Sequence, residues 1–525
     1  MLVKSLAKAG VMRHLLWLLV ALAAAGCELP KDVVRPPSSA LVDTHHTVLG
    51  GLTAPATAKH PGESGFLLFN TGEGAIQARV AMADLAQSSI DAMYFQWGRD
   101  TVGRVLLDRV MVAADRGVRV RLLIDDHWTS GYDLSFAAID AHPNIEVRVF
   151  NPYARGRLRL TQLLGRFTEL NRRMHQKLFV ADGQLAIVGG RNLLDEYFGL
   201  GEEICYRDFD LLAMGPVVSQ AGVAFDQFWN SQWTYPISSL QTPSQAELDR
   251  ELHGFSERVA ADRANFPYAL PHDRDTARAW LVNFRGKGIW GPAELVYDDP
   301  NSVENPANAP PGRVWTKMNS LAMAAQHDIV IENPYLLPNP GMPAIRALRE
   351  RGVRLRMLTN SLGAADEIPV NALYANARPE MVGLGVELYE VKPYADSRAL
   401  HIARPATSQA RLALHGKATV FDRKTVAIGS FNLDPRSRNL NTEMVFIVRS
   451  PQLAAQVLDA FAPDFAPGNA WRIAAVAGDS VVAGDSVAWI TEDPARPLVE
   501  PYDPASGWRR FLRSIERNLP IDDLL

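Results

Sequence analysis

Cysteine is almost missing from this chain: 525 residues carry only Cys27 and Cys205. A disulfide framework of the kind that staples small secreted domains is therefore excluded. A chain of this length can bury its own interior, in about two to four domains. Strong charge of one sign is missing too. Lysine and arginine number 54 against 58 acids, a net charge of −4, and the pI is near 6.3. No overall positive field exists to hold a polyanion such as DNA, so nucleic acid is not an expected partner. With 47% apolar and 21% charged residues, the composition is that of a globular protein, not of a disordered chain or a coiled coil. Metal-ligand spacing is lacking, and no cofactor or metal is expected.

Long apolar runs are scarce. The one at the N-terminus, LLWLLVALAAAG, follows Lys4, Lys8 and Arg13 and ends at Cys27. A short positive region, about a dozen apolar residues and a small-residue site make an export signal, too short to serve comfortably as a membrane-spanning anchor. Ala-Ala-Gly-Cys resembles a bacterial lipoprotein processing site, with Ala24 standing where leucine is usual. That resemblance implies lipidation of Cys27, export and a membrane anchor over residues 1–27. Residues 28–61 hold Pro30, Pro36, Pro37, Pro55 and the pair His45-His46 without a hydrophobic period, and read as a solvated linker. Cys205, in EEICYRDFDLL, then has no internal partner and reads as a core strand residue.

The body repeats itself. ADRGVRVRLLIDD ends at Asp126 and RERGVRLRMLTNS at Ser361; Arg116 and Arg351 are offset by 351 − 116 = 235. Each is a helix end closed by glycine and followed by a strand. SSIDAMYFQW matches AQHDIVIENPYLL upstream, and IEVRVFNP matches VELYEVKP downstream. Strands alternating with helices predict two α/β halves, residues 62–235 and 290–470, each a mostly parallel mixed sheet flanked by helices. Residues 236–289 read as a connector containing a polar helix. Residues 471–525 form a C-terminal extension, in which a helix puts Trp508, Phe511, Leu512 and Ile515 on one face and Arg509, Arg510, Arg513 and Arg517 among its polar positions. Such a helix could lie on lipid or pack on the body.

Within the repeat lies a second pattern. MHQKLFVADGQLAIVGGRN, residues 174–192, and LHGKATVFDRKTVAIGSFN, residues 414–432, both read His, any, Lys, four residues, Asp, six residues, Gly, Gly or Ser, any, Asn. Strand periodicity puts His175 with Lys177, and His415 with Lys417, on one face. Asp182 and Asp422 take the opposite parity inside hairpin turns, and are expected to hold backbone amides as framework residues. Asn192 and Asn432 follow the returning strands, where their amides can point at what the His and Lys face. Two such hairpins related by a pseudo-twofold make one cleft for a tetrahedral anion.

That inventory suits a phosphodiester: one imidazole attacks phosphorus, the other donates a proton to the leaving alkoxide, and ammonium and amide groups stabilise the spreading charge. Aligning YRDFDLLAMGP with NTEMVFIVRSP on Pro216 and Pro451 sets Asp208 against Glu443. These are the favoured acids to orient the imidazoles, ahead of Asp210.

The duplicated motif, in its windows 169–196 and 409–436, resembles the phospholipase D superfamily. RVRLLIDD, TNSL, HGKATVFDRKTVAIGSFNLDPRS and LNTEM are similar to bacterial cardiolipin synthases, particularly the C type. The resemblance implies two halves sharing one active site and a phosphohistidine intermediate. His175 would be the nucleophile and His415 the general acid and base, although near-symmetry leaves the reverse order open. Lys177, Lys417, Asn192 and Asn432 would bind the phosphoryl oxygens. The expected activity is transfer of a phosphatidyl group between phospholipids at a membrane, with phosphatidylglycerol and possibly phosphatidylethanolamine as substrates. The alternative is a phospholipase D hydrolase using water, and less favoured are a nuclease or an inactive lipid-binding protein.

Overall fold

The computed structural model describes residues 29–156, 159–306, 308–337, 341–404, 407–475, 487–491, 498–500 and 503–516. Cys27 and the expected export signal lie outside them. At the centre of the first sheet, Ser89–Tyr94, Arg119–Asp125 and Ile145–Phe150 run parallel. In the second, Asp328–Glu332, Arg354–Asn360 and Glu387–Val391 do the same. Helices make the crossovers, and Gly117 and Gly352, at φ 91° and 81°, supply the left-handed residue that ends the helix before the middle strand of each trio.

From the first of these strands each sheet continues antiparallel. One side adds Lys177–Ala181, Leu185–Gly189, Asp210–Met214 and Ser64–Phe69. The other adds Ala418–Phe421, Thr425–Gly429, Met444–Arg449 and Ala293–Tyr297. The strand order is thus the same in both halves, and the sequence repeat is a repeat of topology. The expectation of mostly parallel sheets is corrected, because two of the described pairings in each sheet are parallel and the others antiparallel. The motif strands are joined by tight hairpins, which can only give antiparallel neighbours.

One face of each sheet is covered by its crossover helices over its own apolar core. The opposite faces meet. Leu178, Val180 and Phe66 of the first half share a cluster with Val420, Val426 and Phe446 of the second, and the Phe66 and Phe446 rings lie 5.8 Å apart. Helices Pro216–Trp229 and Pro451–Phe461, each opened by proline where its missing N–H costs nothing, close this shared core.

Several peripheral segments differ from their sequence reading. Residues 29–61, expected to be a solvated linker, are laid along the first half. Helix Val48–Thr57 buries Leu49 and Leu52, Arg35 Nε donates to the Thr234 carbonyl at 2.8 Å, and the Ala40 N–H donates to Asp226. Backbone groups make much of this attachment, and composition does not reveal them. In the connector, Gln245–Asn265 and Arg274–Arg285 are helices packed on the first half, with Trp280 stacked 6.1 Å from Phe69. Strand Ile289–Gly291 pairs with the first sheet, so that sheet reaches past residue 235. Beyond residue 470, Val487–Thr491 and Leu498–Glu500 widen the second sheet. Among the described residues no helix is long and apolar enough to cross a membrane.

The motif aspartates tie each hairpin turn to the start of a central strand. The Asp182 carboxylate accepts the N–H groups of Gln87, Ser88 and Ser89 at 2.7 to 3.1 Å. Asp422 accepts those of Gln326, His327 and Asp328. Both aspartates take positive φ, 51° and 48°, a conformation Asp tolerates better than most residues. Because Asp182 is fully buried, Asp182→Asn should cost about 2 kcal/mol in urea unfolding. Burial raises the Asp422 pKa, but its three backbone donors outweigh that and hold it below the ordinary value. Its contribution is full above the unfolded pKa of about 4 and is lost as pH falls through the lower folded value. The stability gap between wild type and Asp422→Asn should therefore close in acid.

Candidate active site

His175 and His415 sit just before strands Lys177–Ala181 and Ala418–Phe421, at the edge where the parallel strands end. Both imidazoles and both lysines are buried. Lys177 Nζ donates to the His175 carbonyl at 2.6 Å, and Lys417 Nζ donates to that of His415. Each ammonium is thus fixed beside its own histidine. The Lys177 ammonium also lies 5.2 Å from the centre of the Phe95 ring, over its face.

The halves meet here by sharing backbone. Strand Ile204–Arg207 pairs in parallel with Arg411–Leu414, and the His415 N–H continues the ladder to the Arg207 carbonyl at 2.8 Å. The equivalent place in the duplicate holds a bridge of Met174 with Thr442, where the His175 N–H donates to the Thr442 carbonyl at 3.0 Å. The residue following each partner segment is an acid. Asp208 Oδ2 lies 2.8 Å from His415 Nδ1, and both Glu443 oxygens lie 3.0 Å from His175 Nδ1. Each half therefore supplies the carboxylate for the other half's histidine. A carboxylate at Nδ1 fixes the tautomer and leaves Nε2 as the reacting nitrogen. Lys417 Nζ is also 2.9 Å from His415 Nδ1; one Nδ1–H cannot accept from an ammonium while donating to Asp208, so the ammonium's bond is the one to the carbonyl. Asp210, the less favoured acid, pairs with Arg79 and Arg191.

The two copies differ around these pairs. Ser430 and Ser437 hydroxyls donate to Glu443, the latter at 2.7 Å. At the place of Ser430 the first half has Gly190, where a Cβ would stand 2.2 Å from Asp208 Oδ1. At the place of Ser437 it has Tyr197, whose hydroxyl lies 3.4 Å from His415 Nε2. Asn192 donates Nδ2 to that hydroxyl at 2.9 Å and to Gln96 at 3.0 Å. Both its N–H groups are thus spent on protein acceptors, contrary to the expectation that they face a phosphoryl oxygen. The carboxamide oxygens of Asn192 and Asn432 are buried and have no partner among the described residues.

Sequence reasoning missed Tyr197, Ser437 and two supports, Asp125 and Asn360. Asp125 accepts the Met174 N–H at 2.8 Å, and the Asn360 side chain bonds both backbone groups of Leu414. The aligned repeat held the signal for the last two, because LLIDD and MLTNS put them at the same position. Tyr197 and Ser437, five residues after each motif asparagine, differ in kind, and no comparison of copies flags them.

Burial governs the electrostatics. It pushes both histidine pKa values well down, helped by Lys177 and Lys417. Burial also raises Asp208, and takes Glu443 up to about 7; it lowers Lys177, and brings Lys417 down to about 8. The imidazoles are thus held neutral, and the two lysine Nζ groups are the donors that an entering anion would meet. Among the described residues no group of three His, Cys, Asp or Glu is placed to hold a metal. Cys205 is buried in strand Ile204–Arg207, and burial raises its thiol to about 11.

Residues 80–229 and 318–465 match the family described as cardiolipin synthase, PLD-like domain. The chain is 34% identical to cardiolipin synthase C of Escherichia coli over 91% of this chain and 99% of that protein. It is 24% identical to cardiolipin synthase B of Shigella flexneri over 73% of this chain and 75% of that one. A phosphatidylserine synthase structure from Haemophilus influenzae superposes with a TM-score of 0.56 over 90% of this chain and all of that one, at 15% identity, a likeness of fold.

Two outcomes follow from this geometry. The Tyr197 hydroxyl, oriented by Asn192, hydrogen-bonds the neutral form of His415; Tyr197→Phe should therefore raise the apparent pKa of His415 and lower kcat by roughly tenfold. A pH–rate profile read alongside the KM separates this from a general loosening. Separately, Lys417 is charged below about pH 8 and neutral above it, so kcat/KM should fall through that pH. In Lys417→Arg, which keeps its charge, that limb should disappear.

Proposed function

The chain belongs to the cardiolipin synthase family of phospholipase D-like proteins, and from that premise we propose that it moves a phosphatidyl group from one phospholipid to the hydroxyl of another, giving cardiolipin. The observation that carries this is the pair of imidazoles held at Nδ1 by carboxylates from opposite halves, 2.8 and 3.0 Å away, beside two fixed ammoniums. His175 Nε2 attacks phosphorus, forming an N–P bond as the P–O bond to the leaving alcohol breaks. The alkoxide takes a proton from His415, which is protonated when the anionic substrate enters. The acceptor hydroxyl then returns a proton to His415 as its oxygen displaces His175 from phosphorus. Lys177 and Lys417 hold the phosphoryl oxygens throughout, with Asn432 alongside them.

The substrates are phosphatidylglycerol, with phosphatidylethanolamine as a candidate donor, met at a membrane surface. Helix Gly507–Glu516 supports the membrane reading. Arg509 and Arg513 turn to the protein, Arg509 Nε donating to the Leu362 carbonyl at 2.7 Å and Arg513 pairing with Asp503 at 2.6 Å. Trp508, Phe511 and Ile515 are left exposed on the outside, the orientation of a helix that rests in lipid. Lipidation at Cys27 would add a second hold.

Purified protein given radiolabelled phosphatidylglycerol and phosphatidylethanolamine in vesicles should yield cardiolipin. Phosphatidic acid as the sole product would replace transfer by hydrolysis, and equal inactivity of wild type and His175→Ala would remove both. Alkaline denaturation during turnover should leave phosphorus label on wild-type protein and none on His175→Ala.

A further inference from the structure

The two halves differ most in one layer. In the first, helices Gly72–Leu85 and Thr101–Asp115 pack side by side on the sheet and are themselves covered by the connector helices. The equivalent pair in the second half, Arg313–Ala324 and Met342–Glu350, leaves an open-sided apolar cavity against the sheet. Equivalent strand positions record the difference. Ala92 pairs with Phe179 and both are 0% exposed, whereas Ile331, paired with Thr419, is 8% exposed and Thr419 6%.

The lining is almost wholly apolar, with Thr419 and Asn319 its polar members. Its position relative to the reacting centre gives it meaning. Phe431 and Leu433, which flank Asn432, form its upper wall. Lys417, Thr419 and Phe421 share one face of the strand, so the cavity wall at Thr419 stands about 7 Å, two residues, along from the Lys417 backbone. Along the helix it extends from Trp315 to Ala322, about 10 Å at 1.5 Å per residue. An apolar cavity whose walls include Thr419, Phe431 and Leu433, close along the chain to Lys417 and Asn432, matches a hydrocarbon chain attached to a phosphate held by those two residues.

We infer that this cavity holds one acyl chain of the phospholipid whose phosphate lies at Lys417 and Asn432. The inference rests on the proposed function and adds to it a site that measures chain length. The first half, sealed at the same place, has room for no second chain in this layer.

The test uses the full chain and two readouts. Fluorescent 11-(dansylamino)undecanoic acid should bind wild type saturably. Ala322→Trp and Ala344→Trp, which fill the cavity away from the reacting groups, should weaken it at least roughly tenfold at unchanged Tm; Ala344→Leu should weaken it less and guards against a misfolded tryptophan variant. In turnover, the same variants should raise the KM for dioleoyl phosphatidylglycerol by a similar factor while leaving dihexanoyl phosphatidylglycerol unaffected. No saturable binding by wild type, or equal binding by folded variants, overturns the inference. Chain binding that obeys the variants in a protein that turns over no phospholipid leaves the chain site standing and removes the proposed function.

Discussion

Everything at this centre depends on two short parallel pairings between the halves, Ile204–Arg207 with Arg411–Leu414 and Met174 with Thr442. Each ends one residue before a functional group on either strand, a histidine on one and an acid on the other. Parallel strands carry side chains in step, so a register fixed by backbone hydrogen bonds fixes the imidazole–carboxylate distance as well. A shift of one residue would turn each acid to the opposite face. The site is therefore a consequence of the interface, and neither half alone contains a complete pair.

Keeping such a centre buried has a cost that the surroundings offset. Asp208 and Glu443 are fully buried, and an unpaired carboxylate there would cost several kcal/mol. Glu443 is met by His175, two serine hydroxyls and the charge of Lys177. Asp208 is met by His415, the Phe209 N–H at 2.7 Å and the nearby charges of Lys417 and Arg191. Further from the cleft, Arg207 of the first half reaches Glu332 and Asp464 of the second, all buried. Removing any one partner would strand a charge without solvent, so the charges oppose separation of the halves even where they add little net stability.

Much of the centre was legible in the sequence because duplication converts weak signals into registered ones. The His, Lys, Asp and Asn positions recur at one spacing, and alignment on two prolines sufficed to pair Asp208 with Glu443. Both prolines open helices after equivalent strands, which is why that alignment held its register. What was not legible lacked either a copy or a side-chain signature. Residues 29–61 attach largely through backbone atoms, which composition does not register. Sheet direction is not legible, because helix crossovers dominate the pattern, whereas the antiparallel strands are short and nearly continuous in apolar residues, as buried parallel strands are. Tyr197 has Ser437 as its counterpart, and sameness between the halves carries no sign of a functional difference.

That difference is where a duplicated fold becomes an enzyme with direction. Two identical copies would present a substrate with two equivalent imidazoles, and attack from either side would be equally good. The first half pairs a short acid with Gly190, whose missing side chain leaves room for Asp208, and sets a phenol at the opposite histidine's Nε2. The second pairs a longer acid with Ser430 and Ser437, which hold its carboxylate from both sides. The glycine-or-serine position of the motif and the aspartate-or-glutamate position are thus one choice made twice: a residue that would clash with Asp208 is the one that binds Glu443. Each histidine consequently has its own environment, and the open apolar cavity between helices and sheet belongs to the second half. A substrate carrying one phosphate and long chains therefore meets an asymmetric cleft in a nearly symmetric protein, and that asymmetry supplies a physical basis for dividing attack and proton transfer between the two imidazoles.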